Sequence, residues 1–260
     1  MRLSIVAQLD YTLSAPADLL FALEVAQMHD QILVTDRFTV SGVDVLRPVL
    51  GEESVGRRTW AAGADRISAH YSATVDVDRG PVVLAGLAAD RLHDLPPEAV
   101  RYLFPSRYCE ADRFETAVCR EFGGLNGGDL VRAMADWIRE HVDYVPGSSD
   151  ASTTAADTYV SHRGVCRDFA HLLTAMARAS SIPARMVGAY AWGLDPQDFH
   201  AVVEVWLEGG WHLVDATGLA PTDGIVRVGV GRDATDISFL TVFGQAQLNS
   251  QQVRVERMDA

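Results

Sequence analysis

Three residues of this chain have the types and spacing needed for nucleophilic chemistry. Cys166 lies in Arg163-Gly164-Val165-Cys166-Arg167-Asp168-Phe169-Ala170-His171, where a loop turns into a helix. His200 sits near the start of an alternating segment, Phe199-His200-Ala201-Val202-Val203-Glu204-Val205-Trp206. Asp215 closes another, Gly210-Trp211-His212-Leu213-Val214-Asp215-Ala216-Thr217. A thiol, then a base, then an orienting carboxylate is the set that a cysteine-dependent acyl-transfer enzyme requires. Each residue alone has a plainer reading. A cysteine at a helix start is commonly a small buried hydrophobe, a strand histidine a satisfied polar contact, and a strand-end aspartate a turn cap. The ordered combination favours the chemistry.

Each of the three needs an element to place it. From Val165 onward, Phe169, Leu172, Leu173 and Met176 recur at offsets of four, seven, eight and eleven, one apolar face of a helix. Ser180, Ser181 and Pro183 mark its end. Cys166 then falls in the first turn, where free backbone N–H groups and the positive end of the helix dipole favour an anionic nucleophile and could hold an oxyanion. Gly164 suits a sharp entry into that helix. His200, Val202, Glu204 and Trp206 share one strand face. A four-residue loop, Trp206 to Gly209, would pair Val205 with Gly210 and set Asp215 opposite His200. A tight Gly209-Gly210 turn would instead pair Asp215 with Glu204, about 13 Å from His200 along the strand. The chemistry requires the first register, or a bulge of similar effect.

These segments resemble the bacterial transglutaminase-like family, relatives of papain-type cysteine enzymes. The matching pieces are Gly164 to His171, Ile182-Pro183-Ala184-Arg185, Phe199-His200-Ala201 and Trp211 to Thr217. Upstream, Tyr102-Leu103-Phe104-Pro105-Ser106-Arg107-Tyr108 and Tyr144-Val145-Pro146-Gly147 belong to the same resemblance. The first ~90 residues, including Asp30-Gln31, resemble the β-rich N-terminal region that accompanies this subfamily. The resemblance implies Cys166 as nucleophile, His200 as general base and then acid, and Asp215 as orienter of the imidazole. It implies no cofactor and no metal. One departure is Ala216, where the family often has proline; alanine still permits the strand end. Relatives often accompany peptide-ligase-like proteins, so the implied substrate is a peptide or protein amide, with a small ligase-made peptide as one form.

The chain as a whole reads as α+β, an N-terminal antiparallel β domain over residues 1–90 and a papain/transglutaminase-like core over 91–250. Residues 2–13, 31–49 and 67–78 are rich in β-branched residues. Pro97 to Phe104 suits a short helix, and Leu130, Met134, Trp137, Ile138 and Val142 predict a helix over 129–143. Pro146 to Thr158, small and polar, reads as a loop bordering the cleft. Strands are expected near 184–192, 199–206, 210–216 and 225–230. With 260 residues, 48% of them hydrophobic, the chain is long enough for one large or two small domains. A net charge of −13 argues against nucleic acid. No apolar run approaches the ~20 residues of a membrane span, and the start, Met1-Arg2-Leu3-Ser4-Ile5, reads as a strand rather than a signal peptide. Three cysteines, Cys109, Cys119 and Cys166, give no even framework, so reduced thiols in a cytoplasm are expected.

His162, Cys166, Asp168 and His171 lack a second ligand pair, so a metal site is not expected there. Asp168 suits the helix start, and His171 a structural contact on the helix flank. Gly229-Val230-Gly231-Arg232-Asp233 lacks the third glycine of a nucleotide loop; in the family resemblance, Arg232 and Asp233 hold a loop beside the site. Trp192, Trp206 and Trp211 suit either cleft walls or packing. Three functions remain open: thioester-mediated acyl transfer, ending in hydrolysis or in transfer to an amine; a silent scaffold of the same fold; and a metal-dependent hydrolase.

Overall fold

A computed structural model describes residues 1–258. It holds strands β1 (Arg2–Leu13), β2 (Ala17–Phe21), β3 (Gln31–Leu50) and β4 (Arg57–Val77), then helices α1 (Pro97–Val100), α2 (Glu115–Phe122) and α3 (Gly127–His141). A two-residue strand β5 (Asp143–Tyr144) precedes α4 (Ala155–Ser161), β6 (Arg163–Gly164) and α5 (Cys166–Ala179). The chain continues through β7 (Ala184–Ala191), β8 (His200–Leu207), β9 (Gly210–Val214), β10 (Ile225–Gly231), α6 (Ala234–Ile237), β11 (Leu240–Phe243) and β12 (Ala246–Arg257).

Alternation built the first sheet. Leu3, Ile5, Ala7 and Leu9 of β1 are buried at every second position, as are Ala69, Tyr71, Ala73, Val75 and Val77 of β4. β4 carries β1 and β2 along one edge and β3 along the other, all antiparallel. β12 then adds to β1 and β11 to β2. The last two strands therefore return to the N-terminal sheet, and a core segment running unbroken from 91 to 250 is not what the chain forms. The pairing of β1 with β12 joins residues some 240 positions apart, which leaves no local sequence signal.

The second sheet, ordered β10-β7-β8-β9, is antiparallel throughout. Helix α5 packs on β7 and β8. It is buried from Asp168 to Arg178 on every side, not on one face as the periodicity predicted. This explains its small residues, Ala170, Ala175 and Ala177, and its buried polar ones, Thr174 and Arg178. The Arg178 guanidinium donates to the carbonyls of Ala184 (2.9 Å), Phe104 (3.2 Å) and Arg232 (2.6 Å), tying the helix end to three separate segments. Each fully buried Leu, Phe or Met on this helix contributes about 1.5–3 kcal/mol. Tyr190, Val226 and Val228 of the second sheet enter the core of the first. There Tyr190 stacks on Tyr71, ring centroids 6.3 Å apart, and donates to the Leu23 carbonyl at 2.8 Å.

Two expectations fail locally. Residues 155–158, the end of the stretch read as loop, instead open α4, started by a capping box in which Thr154 and Asp157 bond each other's backbone N–H. The β8–β9 hairpin turns at Glu208-Gly209, both with positive φ (49° and 74°), the two-residue type I′ arrangement. Leu207 pairs with Gly210 and Val203 with Val214, so neither register expected for this hairpin is the one formed. The turn is held from outside, because Glu208 accepts from the Ala88 N–H (3.0 Å) and Asp90 from the Gly209 N–H (3.1 Å).

Candidate active site

Cys166 is the first residue of α5, half-buried, with Val165 as the extended residue before it. The Asp168 carboxylate reaches back to the Val165 N–H (2.9 Å) and takes a hydrogen bond from Ser149, which fixes the angle at which the chain enters the helix. Gly164 serves here by size rather than by unusual backbone angles. A Cβ on it would lie 2.7 Å from the Asp168 Cβ, a contact no side chain tolerates. The left-handed residue of this entry is His162, at φ 53°.

His200 opens β8 and is 1% exposed. Extending the β8–β9 ladder one step past Val214 would set Asp215 opposite Val202, two residues from His200 on the same face. The strand ends there instead, and the Asp215 side chain covers the offset. Its Oδ2 accepts from His200 Nε2 at 3.0 Å and from the Ala220 N–H at 3.0 Å. Its Oδ1 accepts from the Thr217 N–H (2.9 Å) and hydroxyl (2.7 Å). Four donors thus lock the carboxylate. Burial raises its pKa, but His200, Thr217 and Ala220 outweigh that and hold it below the usual carboxylate range.

With Nε2 engaged, His200 Nδ1 is buried without a hydrogen-bond partner, and Cys166 is the other side chain besides Asp215 that acts on the ring. Burial alone would lower the imidazole pKa, but Asp215 and Cys166 overcome it and push it up to about 10. The shift favours the protonated ring, the form that can give a proton to a leaving group. The three expected residues meet, by a route the expected register did not contain.

Tyr144 was not singled out from its residue type or spacing. The parallel β5–β6 ladder pairs Tyr144 with Gly164, two residues before Cys166, and the Val145 N–H donates to the Gly164 carbonyl at 2.9 Å. The phenol is thereby held against Cys166, near both its backbone N–H and its thiol. Burial first, then the Cys166 sulfur, push the phenol pKa up to about 12, so it remains a donor at any working pH. A phenol O–H and a helix-start N–H beside one sulfur can together hold a carbonyl oxygen as it becomes an anion. Tyr144→Phe should lower turnover by about 10- to 1000-fold with iodoacetamide labelling of Cys166 preserved. Unchanged turnover would remove Tyr144 from the site.

The cleft over Cys166 and His200 has a volume of about 500 Å³. Arg107, Tyr108, Phe199, Phe239 and the β11 residues Leu240 to Val242 line it. The first sheet thus builds part of the site. Ala151, from the stretch expected to border the cleft, does so. Trp206 and Trp211 are packing residues, set edge to face at 5.2 Å and absent from the cleft lining. Asp233 caps α6 and accepts from the Tyr108 N–H at 3.3 Å, holding the loop beside the site.

His171 lies inside α5 rather than on its flank, 0% exposed, and accepts from the Ala234 N–H at 3.1 Å. Burial pushes its pKa down to about 4 from 6.5. The unfolded chain gains this proton below about pH 6.5 while the folded chain resists it down to about 4, so stability falls as pH drops across that window. The loss should approach about 3 kcal/mol. Urea midpoints at pH 7 and 4.5 should separate less in His171→Gln than in the parent; equal separations would refute this.

Comparison with known proteins agrees with the geometry. The profile of the transglutaminase-like superfamily matches residues 116–216, which contain all three residues of the site. The crystal structure of a Cytophaga hutchinsonii protein, provisionally assigned as a cysteine protease, is 32% identical and covers all of this chain and 91% of that one, with a TM-score of 0.93. The chain belongs to the transglutaminase-like superfamily. Its core of helices and antiparallel sheet has the transglutaminase-like fold. An uncharacterised Mycobacterium leprae protein is 34% identical over 119 residues, 42% of either chain. A Mycobacterium tuberculosis protein, also uncharacterised, is 30% identical over 125 residues, 42% of this chain and 40% of its own length. The chain therefore matches about two-fifths of each of these mycobacterial relatives. Among the described residues of this transglutaminase-like chain, no helix is long and apolar enough to cross a membrane.

Proposed function

We propose that this protein transfers acyl groups from amide substrates through a thioester on Cys166, with water as the principal acceptor. The observation that supports this is the buried imidazole of His200, bound to Asp215 through Nε2, with Nδ1 unpartnered and the Cys166 side chain acting on the same ring. In the first half-reaction the Cys166 sulfur attacks the scissile carbonyl carbon, and the oxygen gains charge beside Tyr144 and the Cys166 N–H. The C–N bond then breaks as His200 gives its Nδ1 proton to the leaving nitrogen. In the second, water enters, His200 takes its proton, and the C–S bond breaks to release a carboxylic acid and restore the sulfur. Asp215 keeps the ring oriented throughout and stabilises its cationic form.

The test is mass spectrometry of the intact protein after brief incubation with a peptide mixture at low pH quench. An acyl adduct on Cys166 that decays in water to free acid supports the reading. An adduct that decays only when an amine is added would make the protein a transglutaminase in activity as well as in fold. Failure to form any adduct, together with equal slow alkylation of Cys166 and the exposed Cys119, would leave a scaffold.

A further inference from the structure

β11 is a four-residue strand at the edge of the first sheet, paired with β2 on one side only. The Ala22 N–H donates to the Phe239 carbonyl at 3.0 Å, and the register of Leu240 with Phe21, continued one step, sets those two residues opposite each other. In an antiparallel ladder, pairs that exchange hydrogen bonds alternate with pairs that do not. Phe239, Thr241 and Phe243 therefore turn their backbone groups to β2, and Leu240 and Val242 turn theirs to the free edge. The Leu240 carbonyl is taken by the Ser238 hydroxyl at 2.9 Å. That leaves the Leu240 N–H and both backbone groups of Val242 without a partner among the described residues.

Leu240, Thr241 and Val242 line the same cleft as Cys166 and His200. Natural edge strands are usually blunted by lysine, proline or a bulge; Leu240-Thr241-Val242-Phe243 has none of these and is uncharged. We propose that this edge docks the acyl-donor peptide as an added strand. The peptide runs extended beside β11, its main chain bonding the Leu240 N–H and the N–H and C=O of Val242, and its scissile carbonyl reaches Cys166. These groups lie two residues apart, about 7 Å, the repeat of an extended chain. Phe199 and Phe239, stacked with centroids 4.0 Å apart, and Leu240 offer an apolar wall for alternate side chains of that peptide. The substrate class is an extended, unbranched peptide with apolar residues at alternate positions. The inference rests on the acyl-transfer reading of Cys166.

Main-chain pairing can be tested without disturbing the fold. Val242→Pro deletes an N–H that faces the open edge, where proline is tolerated, and leaves the bonds of Thr241 to β2 in place. The probes are acetyl-Leu-Val-Gly vinyl sulfone, the same compound N-methylated at its valine nitrogen, and iodoacetamide as the measure of intrinsic Cys166 reactivity. Relative to iodoacetamide, the parent protein should react about tenfold faster with the first probe than with the second. Val242→Pro should lose about fivefold on the first probe and much of its preference between the two, the signature of hydrogen bonds sharing one ladder. Equal rates for the two probes on the parent protein would overturn the proposal even if the proline variant fails to fold, as would an undiminished preference in a folded Val242→Pro. Iodoacetamide labelling that does not favour Cys166 over Cys119 in the parent would instead remove the acyl-transfer reading on which it rests.

Discussion

Cys166→Ala should abolish turnover, by about 10⁴-fold or more, in a protein that remains folded. The sulfur is half-buried at the mouth of a cleft rather than part of the core, and alanine is the best residue at a helical position. The urea midpoint should therefore move by less than about 1 kcal/mol in stability. The same substitution has a second readout independent of substrate. Cys166 is one of two side chains that overcome the burial of His200 and push its pKa up to about 10. With the sulfur gone, the ring should titrate lower, in the direction of the ordinary 6.5, as followed by the imidazole proton resonances. His200's share of stability is fully present below about pH 6.5 and is lost as pH rises through its folded pKa, so the variant should lose that share at lower pH than the parent. Retained activity in purified Cys166→Ala would sink the nucleophile. An unmoved His200 titration would show that the ring and sulfur do not interact.

What sequence made legible here was whatever local pattern controls. The strand and helix types around the site follow from alternation and from the recurrence of Phe169, Leu172, Leu173 and Met176, and the order Cys166, His200, Asp215 carried the chemistry. The hairpin register was not legible, because Gly209-Gly210 looks like a turn by itself. The observed turn includes Glu208, which is held in a left-handed conformation by contacts with residues 88–90. Tyr144 was hidden for a similar reason. Its two-residue strand matters only through β6, a partner some twenty residues away whose pairing brings the phenol to Cys166. The capping box of α4 was present in Thr154 and Asp157, but a polar seven-residue helix has too little apolar periodicity to announce itself. The return of β11 and β12 to the first sheet depends on partners more than two hundred residues away. That return is what places an edge strand in the cleft.

The largest stability effect expected of a single substitution lies at Glu204. Its carboxylate, 0% exposed, receives Arg185 Nε at 2.8 Å and Arg227 Nη1 at 2.7 Å. Arg185 continues to Glu53 at 2.7 Å, and Arg227 to Asp30, which also holds Arg79 at 2.7 Å. Trp211 covers the Arg185 guanidinium, 4.1 Å from ring centroid to carbon. Glu53 and Asp30 border strands of the first sheet, while Arg185, Glu204 and Arg227 belong to the second, so the chain of charges fastens one sheet to the other. Burial would raise the Glu204 pKa, but the two arginines outweigh it and hold it below the usual range. The contribution is therefore present above that range and is lost as pH falls through the folded pKa. Glu204→Ala leaves two nearly buried guanidinium groups sharing one fewer counter-charge, and breaking a buried pair in this way costs about 3–5 kcal/mol. Glu204→Gln keeps the shape and one acceptor, so it should lose less. Urea unfolding at pH 7 decides the matter: a loss under about 1 kcal/mol in Glu204→Ala would mean that the network behaves like a surface ion pair and does not hold the sheets together. Because the first sheet carries β11 into the cleft, the alanine variant should also lose reactivity toward peptide probes before it loses reactivity toward iodoacetamide.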